Sequence, residues 1–525
     1  MSEAPIGTAG APAVPERASL ADWLAVLAGM IGSLMALMDV SIVNSALPKI
    51  QGEIGATASE ATWVGTGFLV AEIIVIPLTA WLERMLGLRR LLLGGSAIFT
   101  MFSVVCGFAT SLEMLVIGRI GQGFSGGVLI PSAITLVAKR LPPSQQAIGM
   151  AVTAMASLLG PVLGPLLGGW LTENFSWHYA FFINVPICAV QMAMLLYGIK
   201  GAPCDWSELR KADWFGVSGM VIGLGAATTM LEEGHREMWF ESTLIWQLAL
   251  AALLGFGLIA YGQLRSERPV IRLALLGNAS LASAVVLLAV LGMLLYTGMF
   301  IAPQFLVLVA GHTSLQAASL MFVSGMISIV AAVVYLALLS RVDTRLLLVC
   351  AGLSIAIANY LLSGLTVQST ARDFLMAQLL FGVGTTLSAI PLQMAVISSV
   401  SAEDSSEATS LSAVARNLGG AIGLAVLASF QEQRFELHHW RIHSALGAND
   451  PVVQQSMADG AALFGGGPEG LEAAYLALDG QVQMQALTMS FNDIYIALAV
   501  AAVLALPMLF FMRRPPAGAQ MGAMH

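Results

Sequence analysis

Four ionisable side chains sit where ionisable side chains are costly. Asp39, Glu72, Arg119 and Arg416 each lie inside a long apolar stretch of the chain. If such stretches cross a bilayer, a charge within one is a functional residue by default. Counting about 1.5 Å per residue puts Asp39 roughly 12–14 Å, Glu72 roughly 15–18 Å and Arg119 roughly 10 Å from the outer ends of their stretches. The three then share a level, whereas Arg416, roughly 12–14 Å from an inner end, stands away from them. Two carboxylates and a guanidinium at one depth make a proton site. Burial disfavours the charged carboxylate and a neighbouring guanidinium favours it. A conformational change that alters either one loads and releases a proton. The opposing reading is a static ion pair that locks two helices together. Asp39, Glu72 and Arg119 are therefore expected to carry proton coupling, and Arg416 a structural or gating role. No His lies near them in the apolar stretches, so no metal site is expected.

The elements that position these residues follow from composition. The 525 residues are 57% hydrophobic and only 10% charged, with a mean hydropathy of +0.82. An ordinary soluble domain carries roughly 25% charged residues, and no soluble core absorbs this much apolar surface. The bilayer is the solvent that explains it. A basic patch for nucleic acid is missing. Cys106, Cys188, Cys204 and Cys350 are scattered without a C-x-x-C pair, which argues against a disulfide framework or a zinc site. Apolar runs of about 20 residues mark helical spans. They fall at 22–48, 60–82, 90–109, 112–138, 147–171, 178–199, 212–231, 242–264, 277–309, 315–340, 345–366, 373–400, 407–430 and 489–512.

Fourteen spans put both termini on one side. With that side taken as the cytoplasm, Lys49, Arg236, Arg372, Arg434 and Arg441 fall outside, Arg119 and Arg416 fall within spans, and the other sixteen of the 23 Lys and Arg residues fall inside. This bias fits the positive-inside rule and supports the count. The expected organisation is a disordered cytoplasmic tail (1–21), a six-helix bundle (22–199), two linker spans (200–272), a second six-helix bundle (273–512) and a cytoplasmic tail (513–525). A polar outer loop, 431–488, contains an amphipathic run from Glu469 to Leu487 and reads as a surface helix or a partner-docking element.

Glycine and proline add a second pattern. Arg119, Gln122 and Gly126 share one helix face at i, i+3 and i+7. In the fifth span, Gly160, Gly164 and Gly168 repeat every four residues, with Gly169 following. Such a small-residue face packs helices tightly. Pro161 and Pro165 each remove a backbone donor and are expected to bend this helix. A bent, closely packed helix suits a pivot.

These residues resemble the major facilitator superfamily, in its fourteen-span drug:proton antiporter branch (EmrB/QacA type). Met38–Pro48 looks like that branch's first-span motif. Arg119, Gln122 and Gly123 match the superfamily's R-x-x-q-G, and Gly160–Gly169 matches the antiporter motif G-P-x-x-G-P-x-x-G-G. Trp177–Pro186, Arg416–Gly423 and Gln485–Asp493 resemble further motifs of the branch. The loop after the second span departs from the pattern: Ala80 stands for its first Gly and Arg84 for its Asp, with Glu83 pointing about 100° away on a helix. Ser340–Arg345 is a degenerate echo of that loop in the second half. The resemblance implies an all-α membrane fold of two six-helix bundles with two inserted central helices, alternating access by rocking of the bundles, and gating by Arg84, Arg89 and Arg416. It also implies a periplasmic adaptor and an outer-membrane channel as possible partners.

Polar groups inside spans are the candidates for a substrate cavity: Asn44, Trp63, Gln122, Tyr296, Gln304, Asn359, Gln378 and Gln393. Met35, Met38, Phe68 and Phe300 would form a soft wall. The expected activity is proton-coupled export of drugs or other toxic amphipathic compounds across the inner membrane. The alternative is a dedicated exporter of one metabolite, such as a siderophore, an aromatic acid or a lipid-like compound. An enzyme is not expected, since H-E-x-x-H is missing and His438, His439 and His443 lie in the outer loop. No cofactor beyond the proton gradient is expected.

Overall fold

The computed structural model describes residues 17–266, 269–338, 342–401, 403–447 and 450–512. The expected tail 513–525, residues 1–16, Arg268 and the Ser340–Arg341 start of the second-half echo lie outside the described residues. The chain is a succession of helices: α1 (Leu20–Ile54), α2 (Ala58–Leu86), α3 (Leu88–Gly107), α4 (Leu112–Arg140), α5 (Pro143–Asn174), α6 (Tyr179–Phe182), α7 (Asn184–Gly198), α8 (Ser207–Arg210), α9 (Trp214–Glu233), α10 (Thr243–Arg265), α11 (Ala279–Leu308), α12 (Ser314–Leu338), α13 (Thr344–Leu362), α14 (Ala371–Ser398), α15 (Ser405–Ala445), α16 (Pro451–Leu463) and α17 (Gly467–Ala505). Among the described residues, 14 segments are long and apolar enough to cross a membrane.

Local chemistry sets the helix ends. Ser19 with Asp22 and Thr57 with Glu60 form capping boxes that start α1 and α2. Gly55, at φ 74°, ends α1 in the left-handed region that favours glycine. Pro186 cannot donate to the carbonyl of Phe182, and α6 ends at that residue, so the sixth span is two helices and not one.

α1 packs on α4, α5 and α7, α2 packs on α4, and α3 packs on α4 and α7. In the second half, α11 packs on α15, α14 on α12 and α13, and α17 on α13 and α15. A cluster around Phe305, Phe374 and Phe491 fills the core of that half. α9 and α10 pack on each other through Gly219, Gly223 and Gly255, and α9 leans on α2 and α15. The outward side chains of α10, among them Leu250, Leu253 and Leu254, are exposed, as lipid-facing residues would be. The two halves meet where α5 touches α12 and α14, and where α15 touches α2 and α4.

The expected outer loop 431–488 is largely helical. α15 runs for 41 residues and α17 for 39, lengths of about 60 Å against a hydrocarbon core of about 30 Å. α15 continues past the apolar stretch without meeting a Pro or Gly, and α17 runs through Gly480, with Pro468 tolerated in its first turn. Gly465, Gly466 and Gly467, all at positive φ, supply the turn before α17. Between them α16 packs on α17. Asp493 ties the two long helices together, accepting from Arg434 Nε at 2.5 Å and meeting His438 Nε2 at 2.6 Å.

Candidate functional site

α1, α3, α4 and α7 converge on one buried carboxylate. Asp39 and Arg119 form an ion pair with both side chains 0% exposed. Asn184 Nδ2 donates to Asp39 Oδ1 at 2.6 Å, and Gln122 Nε2 reaches the same oxygen at 3.3 Å. Arg119 also donates to the Gln122 side-chain carbonyl at 3.1 Å and, through Nε, to the Val64 carbonyl at 3.1 Å. Its guanidinium lies 4.3 Å from the centroid of the Phe68 ring. Gln122 Nε2 completes the ring of contacts by donating to Ser103 Oγ at 2.7 Å. A buried pair survives only when its remaining polar atoms are satisfied, and this network supplies most of that satisfaction. Gln122 thus holds the ion pair and does not line a cavity, contrary to expectation. Its face of α4 turns toward α3 and not toward the other half.

Glu72 does not join that pair. It is buried on the wall of a cavity of about 640 Å³ that both halves line, within the size range of small-molecule sites. Asn44, Tyr296, Gln304, Gln378 and Phe300 line it as expected, together with Pro161, Pro165, Thr228, Glu232 and Asn417. Tyr296 donates through its hydroxyl to Asn417 Oδ1 at 3.1 Å. A smaller chamber of about 60 Å³ adjoins it through Leu37, Pro161, Tyr296 and Met299, and holds Gln393 and Arg416. Arg416 is therefore not remote from the acids, because its chamber shares Leu37, Pro161, Tyr296 and Met299 with the cavity that Glu72 lines. Trp63 is outside both chambers, Asn359 donates within α13 to the Ile355 carbonyl, and Met35, Met38 and Phe68 are packed in the first half.

α5 divides its faces. A Cβ at Gly160, Gly164 or Gly168 would run into α1 between Leu34 and Ser45, whereas one at Gly169 would meet nothing within 4 Å. Pro161 and Pro165 turn toward the cavity.

At the far end the halves are closed. Arg84 pairs with Glu407 of α15 and with Glu208 at 3.4 Å. Glu83 receives Lys139 at 2.9 Å and the Ser406 hydroxyl. Arg272 pairs with Asp404 at 2.7 Å and with Glu407 at 3.5 Å, and Thr135 meets Thr409 at 3.0 Å. Glu83 and Arg84 point to different neighbours, as helix geometry requires, and both reach α15. Arg89 takes no part: it donates to the Leu196 carbonyl at 3.3 Å within the first half. Arg416 is likewise absent from these bridges.

The sequence reading passed over Asn184, Ser103, Glu232, Asn417 and Glu407. Asn184 lies inside the Trp177–Pro186 motif, and that context was its available signal. Glu232 and Glu407 sit at the edges of expected spans.

The family model described as Major Facilitator Superfamily matches residues 29–424. The chain belongs to the Major Facilitator Superfamily. The multidrug export protein EmrB of Haemophilus influenzae is 30% identical over 95% of this chain and 96% of that protein. The colistin resistance protein EmrB of Acinetobacter baumannii is 29% identical over 94% and 96%, and the fatty acid resistance protein FarB of Neisseria gonorrhoeae is 28% identical over 95% and 98%. Among solved structures, the proton:xylose symporter XylE bound to 6-bromo-6-deoxy-D-glucose matches with a TM-score of 0.58 at 14% identity, covering 94% of this chain and 96% of that one. The human organic anion transporter MFSD10 matches at 0.57 and 15% identity, covering 92% and 99%. These two share the fold. The chain is thus a multi-pass membrane protein of a transporter superfamily, within its EmrB-like branch.

A transporter whose halves close at one end should open there when the bridges are cut. Arg84→Ala removes both Arg84 pairs and leaves Glu407 with Arg272 alone. The closed-to-open ratio at that end is expected to fall by about 5- to 150-fold, the usual size of a coupling between two states. Maleimide labelling of a cysteine placed at Thr409 reads this directly. Labelling no faster than in the Arg84-containing control would remove the gating role.

Proposed function

We propose that this chain is a proton-coupled antiporter that exports toxic amphipathic compounds across the inner membrane by alternating access, with both termini in the cytoplasm. The observation that carries the reading is the cavity between the halves, with Glu72 buried in its wall and an unbroken set of ion pairs beyond it. Asp39 and Arg119 hold the proton-linked charge pair one helix behind that wall, and Gly160–Gly169 lets α1 and α5 move as one body. The mostly apolar wall suits amphipathic cargo. The fatty acid relative favours a lipid-like compound as the cargo of a dedicated exporter, which is the second reading. The long α15–α17 extension offers a periplasmic adaptor, and through it an outer-membrane channel, a place to dock.

The test is proton release from everted vesicles holding a pH gradient when ethidium is added. The wild type should release protons and Asp39→Asn should not. Release that persists in the variant moves coupling to Glu72. No release from the wild type leaves the dedicated exporter as the better reading.

A further inference from the structure

We propose that Glu232, on the inserted helix α9, forms with Glu72 a two-level acidic ladder that selects amphipathic dications over monocations. This rests on the exporter reading above and specifies its substrate class.

Both carboxylates line the large cavity. Glu72 is 5% exposed. Among the described residues, neither makes a hydrogen bond or an ion pair. The acids beside them differ: Asp39 is held by Arg119, Glu83 by Lys139, and Glu233 by Arg236 and Thr66. Of these acids, the two that face the cavity are the two without a cation in ion-pair contact. A buried carboxylate without a partner is costly, and the space in front of these two is where a partner enters.

Their heights follow from packing. Thr66 Oγ1 donates to Glu233 Oε1 at 3.3 Å, which sets the end of α9 level with Thr66 on α2. Glu72 lies six residues further along α2, about 9 Å deeper. Gly225 beside Ile74 and Val70 fixes the same antiparallel register lower down. Glu232 therefore stands nearer the cavity mouth. The cavity wall around them is mostly apolar, with Leu69, Ile73, Met299, Phe300 and Phe381. An apolar body with a cationic group at each end matches that order, and the Phe rings add attraction for cations. Arg416 lines the adjoining chamber, so positive charge is disfavoured past Glu72, which makes Glu72 the last station for it.

Ethidium and propidium share one phenanthridinium ring, and propidium carries a second quaternary nitrogen. Binding of each dye is measured by fluorescence in vesicles holding the full chain, without a gradient, and proton release is then measured with one. Glu232→Gln should weaken propidium binding about tenfold, one charge contact's worth, and leave ethidium within about twofold. Glu232→Asp, which keeps the charge, should retain the preference for propidium and shows that the site is intact. Equal losses for both dyes, or no loss for either, overturn the ladder, as does a wild type that binds neither dye. A propidium-specific loss without proton release in the wild type supports the ladder and counts against the antiport reading. Proton release with selectivity unchanged in Glu232→Gln does the reverse.

Discussion

Arg119→Ala should cost about 3–5 kcal/mol of stability, the usual price of stranding one member of a buried ion pair. The substitution leaves Asp39 fully buried with only Asn184 and Gln122 as donors. It also frees the Val64 carbonyl and the face of Phe68. Asp39→Ala strands the guanidinium instead, whose second terminal nitrogen already lacks a partner. The double variant removes both charges and should lose less than the two single losses added together, because groups in one network do not act independently. Heating the detergent-solubilised proteins and following the monodisperse fraction gives the three values. Simple additivity would mean that the pair does not hold the bundle. The same measurement separates folding from coupling: Asp39→Asn keeps the side-chain volume, so lost proton release from a protein of near-normal heat resistance assigns Asp39 to the proton path.

The spans, the buried pair and the glycine stripe were legible because each is a one-dimensional signal. Run length gives a span, a charge within it gives a pair, and a repeat of four gives a packing face. Depth was legible for Asp39 and Arg119, which do meet. Glu72 does not share their depth, since its backbone packs on Gly127 of α4, eight residues or about 12 Å below Arg119. Azimuth was not legible. Glu72 sits on the side of α2 that faces the cavity, and spacing along one helix says nothing about which neighbour lies in front. Gln122 fails for the same reason: its i+3 relation to Arg119 placed it on the right face, and that face points into the first half. Glu232 was lost because the apolar run ends at its edge. The stretch from Gln431 to Ala445 looked like loop because it is polar, but a helix braced by a partner through Arg434, His438 and Asp493 has no need of an apolar surface.

Gly164→Ala should abolish transport while Gly169→Ala leaves it intact, although both glycines belong to one motif. At Gly164 a new Cβ would meet Met38 O at 2.9 Å and Ile42 N at 3.0 Å, and would overlap Ser41 Cβ. Two of these three are backbone atoms, so no side chain can rotate away, and α1 must move. Overpacking of this kind costs about 1–3 kcal/mol, and the displaced turn carries Asp39 itself, directly after Met38. The strain therefore reaches the charge pair before it reaches the cavity. At Gly169 the same methyl group enters open space. Ethidium-driven proton release and folded yield, measured for both variants, separate the causes. Loss at Gly164 with normal yield assigns the α1–α5 contact to movement of the pair, and loss at both positions would mean that the motif acts through helix flexibility and not through close packing.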